Sequence, residues 1–195
     1  MRTMFKLGLS CLLCAFMAFV AVGRSPATAI LKAKANISGP NGVSGTAVFV
    51  QVGSGIIPTV QMLVTVTGLA PGSKHGFHIH ENGSCTDTPG PPVVPFGGAG
   101  GHFDPGPFGN SGPDINHPYH MGDVPNLVAD SNGKAIMLHS TSRITLSPGL
   151  LSIFDANGSA VIVHLNDDQN MTGAVGSGLS GGPRIACGII MPDND

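Results

Sequence analysis

Residues 31–52 read LKAKANISGPNGVSGTAVFVQV. Two runs of strand character, 31–38 and 43–52, flank Gly39-Pro40-Asn41-Gly42, and a tetrapeptide of turn formers between such runs predicts a hairpin. Working outward, further runs rich in Val, Ile and Thr occupy 60–69, 76–81, 134–140, 150–155, 160–165 and 184–190. Gly-Pro, Asn-Gly and Pro-Gly pairs punctuate them, and helical periodicity is nearly absent. About eight short strands spaced this way predict one all-β domain, a sandwich or barrel. Two stretches, 82–123 and 166–183, do not read as strands. Structureless loops of that length in a compact domain are usually functional.

The chain has 195 residues, of which only 10% are charged and 42% hydrophobic, a balance that argues against disorder. The 29 Gly and 16 Pro follow no triplet period, so a collagen-like fibre is excluded. Nine Lys and Arg against eleven Asp and Glu leave no basic field, which disfavours nucleic acid as a partner. Eight His beside a single Tyr and no Trp point instead to a metal.

Arg2 and Lys6 precede an uncharged apolar run over 7–22, and Ala27-Thr28-Ala29 has the small-x-small form of a signal-peptidase site. Residues 1–29 therefore read as a signal peptide and 30–195 as the exported domain. The apolar run is short for a membrane span and no second one follows, so stable membrane insertion is not expected. Cleavage removes three cations (Arg2, Lys6, Arg24) and no acid, which takes the net charge from −2 to −5. It also leaves only Cys85 and Cys187. In an exported chain these read as one disulfide, two free thiols being the alternative.

The histidines sort by position. In His78-Ile79-His80, period-two alternation places both rings on one strand face, with Cα atoms roughly 7 Å apart, a spacing from which two imidazoles converge on one ion. His75 is an odd step away and reads as structural, while His139 reads as an exposed strand residue. His164 ends the apolar run Val161-Ile162-Val163, an environment for either a ligand or a hydrogen-bonded core histidine. His102 lies in the first long loop after Gly100-Gly101, and His117, His120 and Asp123 close that loop as His-x-x-His-x-x-Asp. Nitrogen and carboxylate donors in such a cluster suit zinc, and an imidazole-rich set without spare thiolate favours copper or zinc over iron–sulfur chemistry.

Five segments in order resemble the copper–zinc superoxide dismutase family. They are His75-Gly76-Phe77-His78-Ile79-His80-Glu81, Gly100-Gly101-His102-Phe103-Asp104-Pro105, His120-Met121-Gly122-Asp123-Val124-Pro125-Asn126-Leu127, Val163-His164 and Arg184-Ile185-Ala186-Cys187-Gly188. The resemblance implies a Greek-key β-barrel or sandwich with the metals outside it under two loops. It implies copper on His78, His80, His102 and His164, and zinc on His102, His120 and Asp123, with His102 bridging. It gives Cys85 and Cys187 the intrasubunit disulfide, Arg184 the guidance of the anion, and Asp168 the second-sphere link between the two metal sites. The implied reaction is dismutation of superoxide to oxygen and hydrogen peroxide by Cu(II)/Cu(I) cycling, with His102 as proton carrier.

The match departs from the family in three places. The third zinc histidine is expected eight or nine residues after His102, where Asn110 and Ser111 stand, and His117 is the nearest replacement. Without it, zinc would be weakly held, completed by water, or absent. The segment 165–183 carries Asp167 and Asp168 but no lysine, which predicts weak electrostatic steering. Residues 86–99 are longer and richer in proline than the resemblance predicts. The main alternative is a non-catalytic copper carrier or buffer on the same fold. The wording of Gly-Gly-His and Gly-Asp-Val-Pro-Asn-Leu resembles the bacterial branch, which points to a periplasmic rather than an extracellular address. The sequons at Asn36, Asn82, Asn157 and Asn170 matter only in a eukaryotic secretory pathway. The resemblance leaves a homodimer open.

Overall fold

The computed structural model describes residues 31–53, 58–106 and 113–194. The signal peptide read at 1–29 and the positions Asn110 and Ser111 lie outside them. Among the described residues no helix is long and apolar enough to cross a membrane. Seven strands form one curled antiparallel sheet in the order β5-β8-β9-β1-β2-β3-β7. They are β1 Leu31–Ser38, β2 Ser44–Val52, β3 Thr59–Thr67, β5 Phe77–His80, β7 Ala135–Thr141, β8 Ala160–His164 and β9 Arg184–Pro192. A second, two-stranded sheet pairs β4 Lys74–His75 with β6 Leu127–Val128. The chain from β7 to β8 passes from one edge of the large sheet to the strand beside the other edge, the long return of Greek-key topology.

The expected hairpin at 39–42 joins β1 to β2 in full register from Leu31↔Gln51 to Ser38↔Ser44, closed by a 3₁₀ turn at Pro40–Gly42. Alternation then decides what faces the core. Ala33, Ala35 and Ile37 of β1 are buried while Lys32, Lys34 and Asn36 stay exposed. Val60, Met62, Val64 and Val66 of β3 point inward in the same way. With Phe49, Phe77, Ile79, Phe103, Leu127, Ile144 and Ile153 they form one core. Burying a side chain of this size contributes about 1.5–3 kcal/mol.

One expectation needs correction. Residues 150–155 form turns rather than a strand, because their backbone is used locally: Thr145 N–H donates to Leu151 O and Ile153 N–H to Thr145 O. Leu150 stays exposed while Ile153 plugs the core. The run 76–81 forms β5 over Phe77–His80, and Gly76, whose N–H goes to Asn166 O and whose O receives His164 N–H, separates it from β4 in the other sheet.

The strands that hold the site are buried on both faces. On β5, Phe77 and Ile79 enter the core, and the alternate residues His78 and His80 face outward yet remain buried. β8 pairs antiparallel with β5, and its Val161 and Val163 join that core. Ala160 and Ile162 instead join Ala99, Cys187, Cys85 and Phe96 in a second, smaller apolar cluster. A strand covered on both sides reads as a continuous apolar run, which is why 160–163 carries no polar residue.

Candidate metal centre

Three elements bring the histidines together. β5 supplies His78 and His80, the end of β8 supplies His164, and the long loop lies across them. Isolated bridges pair His80 with His102 and His78 with Asp123. Phe103 N–H donates to Ile79 O and Ile79 N–H to Gly122 O. At Gly122 a Cβ would fall 2.2 Å from Ile79 O, so only glycine lets the loop close onto β5 here. A register shift at Val163/His164 breaks the ladder to β9 opposite Arg184, and such a bulge re-aims the side chains beside it.

His78, His80, His102, His117, His120 and His164 are all essentially without solvent exposure. Ligand atoms of His78, His80, His102 and His164 lie within 4.8 Å of one another, as do those of His78, His102, His117 and Asp123. His120 is outside that second set and reaches it through Asp123: its Nδ1 lies 3.1 Å from Asp123 Oδ2, and its backbone N–H donates to the same oxygen. Asp123 thus faces three imidazoles, with His102 Nδ1 2.6 Å from Oδ1 and His117 Nδ1 3.1 Å from Oδ2. The His117–Pro118 peptide is cis.

The outer partners of the rings fix their tautomers. His80 Nδ1 contacts Gly100 O at 3.0 Å, His164 Nδ1 contacts Gly182 O at 2.8 Å, and His78 Nε2 contacts Asp168 Oδ2 at 3.0 Å. Each partner only accepts, so each outer nitrogen carries the proton and the inner one keeps its lone pair. The inner atoms His78 Nδ1, His80 Nε2, His102 Nε2 and His164 Nε2 are buried and have no hydrogen-bond partner within the protein, while His117 Nδ1 faces Asp123 Oδ2 at 3.1 Å. A buried polar atom without a partner costs about 1–3 kcal/mol. Four such atoms converging on one place fit a metal ion, and the imidazoles and carboxylate gathered at Asp123 fit a second.

Electrostatics agree with that division. Burial, and then the His102 imidazole, hold His78 at about 4. Burial holds His102 at about 4 against Asp123, and it brings His164, beside His78, to about 3. His80 is lowered too, by burial first and then by His102 and Arg184. These rings are neutral at pH 7, the form that ligates. His117 differs: burial lowers it, but its hydrogen bonds to Asp123 and Asp168 prevail and raise it to about 9. Burial opposes ionisation of Asp123 and Asp168, yet their histidine partners hold both well below the usual carboxylate range.

The residues around the cluster complete the arrangement. Asp168 links His78 to His117, whose Nε2 lies 2.6 Å from Asp168 Oδ1. Asn126 holds Asp168 in place by accepting its N–H and donating to its O, each at 2.8 Å. Arg184 donates to Phe96 O and Gly100 O, so Gly100 O serves both Arg184 and His80. Cys85 and Cys187 form a disulfide over 102 residues. His75 is structural, as expected: it contacts Ser73 Oγ and His164 O. His139 is half-buried rather than exposed, and Arg143, which lies nearby, adds to the burial that lowers its pKa.

Sequence reading missed several of these groups. Arg143 donates to His120 O, and the carbonyls of Gly100 and Gly182 orient two rings. A carbonyl acceptor has no side-chain signature, so no motif could announce it. Asp114 was also missed. Its carboxylate accepts Gly178 N–H, Ser180 N–H and Ser180 Oγ–H, tying the first long loop to the second.

A Greek-key antiparallel barrel carrying a buried histidine cluster outside its core defines a histidine-ligated β-barrel metalloprotein. Comparison with known sequences then fixes the family. Residues 43–190 match the copper/zinc superoxide dismutase family, and the chain belongs to it. It is 36% identical over 160 residues to a Cu-Zn superoxide dismutase of Deinococcus radiodurans, covering 78% of this chain and 79% of that one. It is 35% identical over 178 residues to one from Brucella abortus, covering 89% and 92%. Among solved structures, a double mutant of a superoxide-dismutase-like protein from Bacillus subtilis aligns with a TM-score of 0.60 at 31% identity, over 80% of this chain and 94% of that chain.

Proposed function

We propose that this chain is an exported superoxide dismutase that takes two superoxide anions and two protons to oxygen and hydrogen peroxide. The observation that carries this reading is the set of buried inward nitrogens on His78, His80, His102 and His164 that no protein group satisfies. His78, His80, His102 and His164 hold copper. His102, His117, His120 and Asp123 hold zinc. Copper would supply the one-electron exchange and zinc a fixed positive charge.

The protein's own groups do the rest. Arg184 presents a planar cation beside His80 and His164, and although burial lowers its pKa, a guanidinium stays charged at neutral pH. It attracts and orients the anion. His102 is held on its Nδ1 side by Asp123, which leaves its Nε2 as the nitrogen that would carry a proton and return it to the reduced product. Asp168 keeps the rings of His78 and His117 in the orientation that aims their inner nitrogens. Residues 1–29 are the signal peptide, 30–195 the catalytic domain, and the periplasm its address.

The competing reading, a copper carrier on the same fold, has no use for Arg184. In an Arg184→Ala variant with copper content unchanged, the superoxide rate is expected to fall at least about tenfold, the lower end of what local charge adds to an encounter. An unchanged rate would favour the carrier.

A further inference from the structure

The proline-rich segment 86–99 supplies no side chain to the histidine cluster, yet its returning leg ends on Arg184. The segment folds as a small laced hairpin. Thr88 and Val94 exchange N–H···O bonds of 3.1 and 3.2 Å, and Gly98 N–H donates to Thr86 O at 2.8 Å. A Cβ on Gly97 would fall 2.2 Å from Thr88 Oγ1, and one on Gly98 2.3 Å from Thr86 Oγ1, so only glycines let the two legs approach this closely. At its base Cys85 is joined to Cys187 of β9, three residues beyond Arg184.

Phe96 sits at the bend of the returning leg with φ 53 and ψ 25. That left-handed conformation is disfavoured for a bulky aromatic residue and persists only where its surroundings impose it. Two contacts favour it here, beside the turn bond in which Ala99 N–H donates to Phe96 O at 3.1 Å. The Phe96 N–H donates to Asp87 Oδ1 at 2.9 Å, and the ring packs on the apolar cluster of Ala99, Ala160, Ile162 and Cys187. In this conformation the Phe96 carbonyl accepts Arg184 Nη1 at 2.7 Å, while Gly100 O accepts Nη2 at 2.5 Å. Both terminal nitrogens of the guanidinium are thus held by backbone carbonyls, one in the hairpin and one at Gly100 just beyond it.

We propose that the hairpin 86–98 is a positioning arm for Arg184 and that Asp87 is its positioning residue. By accepting the Phe96 amide, Asp87 keeps Phe96 left-handed and its carbonyl on the guanidinium. Without the carboxylate, Phe96 relaxes toward negative φ, its carbonyl turns away, and Arg184 rests on Gly100 alone. The inference rests on the reading of Arg184 as the anion-guiding group.

The test is azide binding, a monovalent anion of superoxide's charge, titrated into copper- and zinc-loaded protein and followed by the visible absorption of Cu(II). Metal content and melting temperature are measured on the same samples. Asp87→Ala is expected to weaken azide binding about fivefold, the effect of one hydrogen bond. Asp87→Asn, which keeps an oxygen acceptor, should recover most of it, and Asp87→Ala should add nothing in an Arg184→Ala background. The proposal is overturned if Asp87→Ala binds azide normally while Arg184→Ala does not. It is also overturned if Asn gives no rescue, or if the loss persists without Arg184. Normal azide binding by Arg184→Ala alone would instead remove the role of Arg184, and with it the purpose of the arm.

Discussion

His117 Nε2 lies 2.6 Å from Asp168 Oδ1, and the other oxygen of that carboxylate meets His78 Nε2. The same contact leaves His117 Nδ1 facing Asp123. This placement supports the proposal that His117 takes the role that the family pattern assigns to positions 110 or 111. His117→Ala is expected to lose zinc and keep copper, as read by metal analysis of the purified protein. Asp168→Asn should weaken zinc by about 10–100-fold, the usual cost of removing an outer partner of a ligand. Full zinc occupancy in His117→Ala would contradict the assignment.

The buried imidazoles make the metal-free protein sensitive to pH on both sides of neutrality. His78 and His102 at about 4, and His164 at about 3, lie below their unfolded value of 6.5, so unfolding takes up protons in that interval. Their neutral burial is fully tolerated above pH 6.5, and stability is lost as pH falls from there toward 4. His117, raised to about 9, has the opposite sign: its contribution is complete below pH 6.5 and is lost as pH rises through 9. The urea midpoint of the apoprotein should therefore peak near neutrality. A midpoint flat from pH 4.5 to 9 would contradict both assignments.

Asp114 should behave as a clasp between the two long loops. Bonds from Ser180 and Gly178 outweigh its burial and hold the carboxyl below its ordinary value. Asp114→Ala strands those donors and is expected to cost about 1–3 kcal/mol in urea unfolding. It should also speed amide exchange at Gly178 and Ser180. Protection unchanged at those amides would remove the clasp.

Much of this architecture was legible in residues 31–190. The turn at 39–42, the alternation that sends His78 and His80 to one face, and the apolar run ending at His164 each followed from local pattern. The ligand pairing followed only from family resemblance, because loop closure across 82–123 has no period to read. The strand expected at 150–155 failed because turn backbone there satisfies itself. Asp114 and Asp87 act on groups distant in sequence, and nothing local distinguishes them from solvated acids.

The disulfide closes 102 residues and stands between the arm and β9. In the loop-entropy account such a link contributes about 4.7 kcal/mol, less any native strain. A Cys85→Ser, Cys187→Ser pair should lower stability by an amount of that order and weaken azide binding with it. Stability within about 0.5 kcal/mol of wild type, the scale of an ordinary surface change, would contradict this.

The segment 165–183 has no lysine, so Arg184 is the nearest cation along the chain to guide an anion. The superoxide rate should fall only shallowly as ionic strength rises, because few fixed charges are there to be screened. A steep decline across a salt titration would place the steering charge elsewhere.

The most direct measurement is superoxide decay by the mature protein, followed after pulse radiolysis on a sample whose copper and zinc have been counted. The account predicts rapid catalytic decay with about one copper and about one zinc per chain, one ion for each of the two ligand sets. No catalysed decay with copper fully loaded would contradict it and leave a copper carrier.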